Sequence, residues 1–123
     1  MTTTRYTPEH EWLRIEADGL VTVGITDFAQ SELGDIMFID LPEIGRTVAY
    51  QEQIAVVESV KAASDLFSPV SGTVIAVNNA VQDEPELVNE NAFATWLFCI
   101  KADNLDELAQ LMNVDAYQQM IGQ

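Results

Sequence analysis

The chain has 123 residues, and its 20 aspartates and glutamates against five lysines and arginines give a formal net charge of −15. That charge repels nucleic-acid phosphates and anionic lipid headgroups, which excludes both as partners, and it favours basic patches on other proteins. A single cysteine, Cys99, rules out an internal disulfide. A chain of this length buries about two-thirds of its unfolded surface, so one domain over residues 1–123 needs no crosslink or metal to fold.

Trp12–Glu16 and Leu20–Ile25 read as two strands, joined by an Ala17-Asp18-Gly19 turn. Thr26 is placed to cap a short helix over Asp27–Leu33, with Gly34 as its stop. Ile36–Leu41 is a mostly apolar strand halted by Pro42, and Gly45 opens a turn before Val48. Gln53–Glu58 is another strand. Asp65–Ser68 leads to Pro69, and Ser71-Gly72 turns into Thr73–Val77. Residues 78–92 read as loop with a short helix. Trp96–Lys101 is a last strand, rich in residues that suit sheets. Asn104-Leu105-Asp106-Glu107 resembles a capping box, with Leu108, Leu111 and Met112 on one face of a predicted helix. A second short helix is predicted over 115–121. Many short strands with close turn signals and a helical tail predict a mainly β sandwich or barrel. The segments after Gly45 and Gly72 share a loose pattern of a glycine followed by valines.

Lys61 is the central residue. It is one of two lysines, the other being Lys101, and it stands between two strand-forming runs at the tip of a hairpin spanning about 53–68. Lysine amines in water ionise near ~10.4, so an exposed one is a poor base or nucleophile at neutral pH. The same exposure suits an amine that another enzyme grasps and acylates. Gly45 and Gly72 are expected to frame this hairpin at positions where a Cβ would clash. Glu58 is a candidate for recognition of the tip. His10 is the sole histidine and, without further ligands, reads as structural or surface. Cys99 alternates with strand residues and reads as a small core residue.

Glu58-Ser59-Val60-Lys61-Ala62-Ala63-Ser64-Asp65, followed by Ser68-Pro69-Val70-Ser71-Gly72, resembles the lipoylation segment of the glycine cleavage system H-protein family. Tyr6–Trp12, Val23–Gln30, Leu33–Asp35, Leu41–Gly45 and Pro85–Asn89 resemble its other blocks in order. Asn91–Trp96 departs from the tyrosine and glycines usual before that tryptophan, and Glu9 stands where a serine is common. The resemblance implies a barrel-sandwich hybrid with a short helix in the N-terminal half and a C-terminal helical cover at about 104–121. It implies (R)-lipoate in amide linkage on Lys61. It further implies a non-catalytic shuttle for the aminomethyl group of glycine. The donor is the pyridoxal-phosphate-dependent glycine decarboxylase (P-protein). The acceptor is the tetrahydrofolate-dependent aminomethyltransferase (T-protein), and dihydrolipoyl dehydrogenase (L-protein) reoxidises the arm. A lipoate ligase or a lipoyl or octanoyl transferase loads Lys61. Glu11 and Asp65 match positions where carboxylates hold the loaded arm.

A 2-oxoacid dehydrogenase lipoyl domain fits less well, because Val60-Lys61-Ala62 replaces the usual Asp-Lys-Ala. A role as a lipoate or octanoate relay stays open. Met1–Arg5 shows no apolar leader, so a bacterial cytoplasmic monomer is expected.

Overall fold

Alternation along β2 (Glu11–Ile15) sets the architecture. Successive side chains of a strand point to opposite faces, so Glu11, Leu13 and Ile15 share one face while Trp12 and Arg14 share the other. The first set looks into the space between two sheets. Trp12 is instead covered from outside: its indole N–H donates to the Ala92 carbonyl at 3.0 Å, and the Arg14 guanidinium lies 4.4 Å from its ring centre. The computed structural model describes residues 3–16, 18–108 and 111–122.

The larger sheet has six strands in the order β1-β2-β3-β9-β8-β5, and the smaller has three in the order β4-β6-β7. The strands of the larger sheet are β1 (Thr3–Tyr6), β2, β3 (Leu20–Ile25), β5 (Thr47–Val48), β8 (Gly72–Val77) and β9 (Phe98–Ala102). Those of the smaller are β4 (Ile36–Asp40), β6 (Gln53–Ser59) and β7 (Ala63–Phe67). Leu13, Val23, Ile39, Val57, Val74, Phe98 and Ile100, each almost wholly buried, fill the space between them. Each such side chain contributes roughly 1.5–3 kcal/mol of transfer free energy. The mainly β sandwich expected from the turn spacing is the observed fold.

Helix α1 (Asp27–Leu33) starts and stops where its residues predict. Thr26 Oγ1 accepts from the Ala29 N–H at 3.2 Å, and Gly34 closes the helix at φ 78°. Two short helices, α2 (Ala80–Asp83) and α3 (Glu86–Glu90), occupy the stretch read as loop with one helix. Asn89 ties α3 to the first half of the chain through the Ile36 N–H at 2.9 Å and the Gly34 carbonyl at 2.9 Å. The segment after Asn104 differs from expectation. Leu105–Leu108 is a short 3-10 turn, and Met112 then exchanges backbone hydrogen bonds with Tyr6. Pairing with β1 offers Met112 a backbone partner that a helix would have denied it, and residues 109 and 110 of the expected helix lie outside the described residues. Helix α4 (Val114–Met120) follows, capped by Asn113.

The two glycine-valine segments pair with each other. Thr47 faces Thr73 and Val48 faces Gly72, which places Gly45 and Gly72 beside the larger sheet rather than in the lysine hairpin. The shared need for a Cβ-free position divides into two causes. A Cβ on Gly72 would sit 2.2 Å from the Lys101 carbonyl oxygen, whereas Gly45 has nothing within 4 Å and owes its identity to a φ of 96°.

Candidate functional site

The β6–β7 hairpin closes over Ser59. Its backbone N–H donates to the Ala62 carbonyl at 2.8 Å, and its Oγ accepts from the N–H of Lys61 at 3.1 Å and of Ala62 at 3.2 Å. A serine hydroxyl that satisfies turn amides holds a tight bend without help from neighbouring strands. The Val60 N–H donates to the Asp35 carbonyl at 3.0 Å, which fastens the bend to the chain just beyond α1. Lys61 is exposed on this bend, as its sequence context predicts. Its stem passes Gly34, where a Cβ would lie 3.5 Å from Lys61 Cε, and its Nζ reaches to 3.4 Å from the Glu32 carbonyl. A cation near the carbonyl end of a helix is favourably placed. The other lysine is engaged elsewhere, since Lys101 Nζ donates to the Asp18 carbonyl in the β2–β3 turn.

Beside Lys61 runs a groove of about 260 Å³. One wall is α1, where Phe28 and Glu32, and Ala29 and Leu33, stand one turn apart on neighbouring stripes. Glu9 and His10 form the second wall, and Ser64 of β7 closes the third side. The groove thus combines apolar surface with two carboxylates, next to an exposed amine. The residues of α1 were not singled out from the sequence. The helical repeat of Phe28-Ala29 with Glu32-Leu33 carried the signal.

His10 is held from two sides, by Phe28 of α1 and Tyr117 of α4. It adopts φ 70°, rests its ring 4.7 Å from that of Phe28, and bonds through Nδ1 to the Tyr117 hydroxyl at 2.9 Å. That hydroxyl also meets Thr26 Oγ1 at 2.7 Å. Partial burial lowers the pKa of His10, against the opposing pull of Glu32 and Glu9. Its structural role is therefore to join β2, α1 and α4 behind the groove.

The two carboxylates expected to hold an arm are separated by the fold. Glu11 is 1% exposed and is not a surface acid. Its Oε2 accepts from the Phe67 N–H at 2.9 Å and its Oε1 from Thr7 Oγ1 at 3.4 Å, so it links β2 to β7 across the sheet interface. Burial pushes its pKa up to about 8, despite those two donors. Alternation with Leu13 and Ile15 was the signal for that inward position. Asp65 is exposed on β7, and alternation sets it on the opposite face from Ser64 of the groove. Glu58 is exposed on β6, opposite Phe38 and Ala63 in the register. Cys99 is buried, with its thiol pKa raised by that burial. Among the described residues no group of three or more His, Cys, Asp or Glu is placed to hold a metal, and no helix is long and apolar enough to cross a membrane.

The family model described as Glycine cleavage H-protein matches residues 4–123. The chain belongs to the glycine cleavage H-protein family. It is similar to a glycine cleavage system H protein of Ralstonia nicotianae, with 56% identity over 118 residues that cover 96% of this chain and 93% of that one. It is also similar to one of Salmonella arizonae, at 55% identity, covering 95% of this chain and 92% of the other. The crystal structure of a glycine cleavage system H protein from Mycobacterium marinum superimposes with a TM-score of 0.90 at 36% identity, over 98% of this chain and 97% of that one. Membership makes the chain the carrier of the glycine cleavage system, not one of its catalysts.

Proposed function

We propose that Lys61 is the point at which lipoate is attached in amide linkage, within one carrier domain that spans residues 1–123. The observation that supports it is the placement of Lys61: exposed, at the tip of a closed bend, with its amine beside a groove lined by Phe28, Leu33 and two carboxylates. Those residues fit the group, since a hydrocarbon arm suits the apolar wall and an amine at its far end suits Glu9 or Glu32. Glu11, bonded to Phe67 and Thr7 inside the fold, acts by holding β2 to β7, whereas Asp65 addresses whatever meets the outer face.

When attached, lipoate supplies a strained disulfide that accepts the aminomethyl unit of glycine. The protein's own residues do the rest. Ser59 and Asp35 hold the bend, the lysine stem lies along Gly34 at the end of α1, and the groove offers shelter from water. We further propose that the arm visits the P-protein, the T-protein and the L-protein in turn, and that a ligase or transferase loads it. In this scheme the tether raises the local concentration of the arm at each docked active site. The bacterial relatives support action in the cytoplasm.

Intact mass after expression with lipoate tests the attachment. A lipoyl increment is expected on the native chain and is expected to vanish in Lys61→Arg. Glycine-dependent carbon dioxide exchange, reconstituted with the decarboxylase, tests the shuttle. Lipoylated protein that fails to support exchange would sink that step, and retention of the increment in Lys61→Arg would sink the attachment.

A further inference from the structure

We propose that the outward face of the three-stranded sheet is the docking face for the enzyme that acylates Lys61, with Met37 and Phe38 as its apolar anchors. This rests on the reading of Lys61 as the attachment point.

The register of the sheet supplies the first observation. Ile36 pairs with Ser59 and Phe38 with Glu58, so one extra residue, Met37, is inserted in β4 where β6 has none. A bulge of this kind sets two neighbouring residues against one and re-aims side chains that would otherwise alternate. Met37 and Phe38 are both outward as a result, 64% and 52% exposed, while Ile36 and Ile39 on either side are buried. Strict alternation would have exposed only one of the pair. The bulge therefore presents two large apolar side chains together.

The second observation is where this pair lies. Phe38, Glu58 and Ala63 form one row across the sheet, and Asp40, Val56 and Asp65 form the next. Directly opposed residues of antiparallel strands share a face. The Phe38 row is the one nearest the bend, only a few residues from Lys61, and Val60 in the bend is itself 60% exposed. An enzyme that takes the Lys61 amine into its active site must cover the adjoining surface.

The third observation is charge. The apolar pair is framed by Asp40, Glu58 and Asp65, and neither row contains a cation. An apolar centre inside a polar rim is the usual anatomy of a recognition surface, and anchors of this size are typical hot spots. The complement is an apolar pocket ringed by lysine or arginine. A second copy of this chain is disfavoured, because its own carboxylates would face these.

The experiment compares acylation rates with a purified lipoate ligase, followed by intact mass over a range of carrier concentrations. Met37→Ser/Phe38→Ser is expected to raise KM by about tenfold or more, the effect of losing a central anchor, while kcat at saturation and the melting temperature stay as in the native chain. Asp40→Asn/Asp65→Asn is expected to weaken the salt dependence of KM. Ile75→Ser serves as control: Ile75 is the residue at the register shift of β8 in the other sheet, 41% exposed, and its variant is expected to behave as native. If the native chain takes no acyl group, the attachment reading is wrong. If it is acylated and the serine pair leaves KM within about twofold, the docking face alone is wrong. Should the serine pair melt early, an unchanged salt dependence in the asparagine pair overturns the proposal. Concentration-dependent dimerisation that the serine pair abolishes would assign the face to a second copy, and overturn it equally.

Discussion

Replacing Glu11 by glutamine tests how the fold handles an acid buried between its sheets. In the unfolded chain this carboxyl ionises near 4.5, and in the folded protein burial raises that to about 8. Between those values the unfolded state has shed a proton that the folded state retains. Stability contributed by the neutral carboxyl is therefore complete below pH 4.5, declines as pH rises toward 8, and is lost above it. At 1.36 kcal/mol per unit the gap sets a ceiling of about 5 kcal/mol, reduced in practice by local relaxation. Glutamine keeps an oxygen for the Phe67 N–H but carries no charge at any pH. Urea unfolding of both proteins from pH 5 to 9 at constant ionic strength isolates the effect, because the remaining acids are common to both. The native chain is expected to lose stability relative to Glu11→Gln as pH rises, by a few kcal/mol across the range. A difference that is flat with pH, or that grows as pH falls, would refute the assignment of burial as the cause.

Two glycines that look equivalent in sequence are expected to respond differently. Gly72→Ala forces a backbone carbonyl on β9 to move and is expected to cost about 3 kcal/mol or more, whereas Gly45→Ala meets only open space at positive φ and is expected to cost about 1 kcal/mol; urea midpoints measure both. Cys99 is expected to react with a thiol reagent far more slowly in the folded protein than in urea, because the thiol is buried with a raised pKa, and equal rates would contradict its placement.

Much of this was legible in the residues. Thr26 and Gly34 bound α1 because a hydroxyl acceptor and a residue tolerant of positive φ each solve a local problem that needs no tertiary information. The lysine bend was legible for the same reason, since Ser59 closes it within four residues. What could not be read depended on distant partners. The helix predicted after Asn104 gave way to a bridge because Tyr6, more than a hundred positions away, offered Met112 a pair of backbone hydrogen bonds. Strand β1 was invisible because its residues bury little on their own and are held by β2 and Met112. The groove was half legible: the α1 stripe was present in the sequence, but nothing there announced that Glu9, His10 and Ser64 would face it. Glu11 was read from the resemblance as a carboxylate for the loaded arm, while its period-two match to Leu13 pointed to the buried position it takes.

The bond from the Val60 N–H to the Asp35 carbonyl, together with the lysine stem against Gly34, fixes the root of Lys61 to the end of a helix. The pivot of any attached chain is then a stationary point on a stiff frame, not the end of a whipping loop. Everything beyond Cε turns about single bonds, so its reach is bounded by the length of the attached chain measured from that fixed root. Lengthening the bend would slacken that mounting and blur the aim, even with every reactive atom left in place.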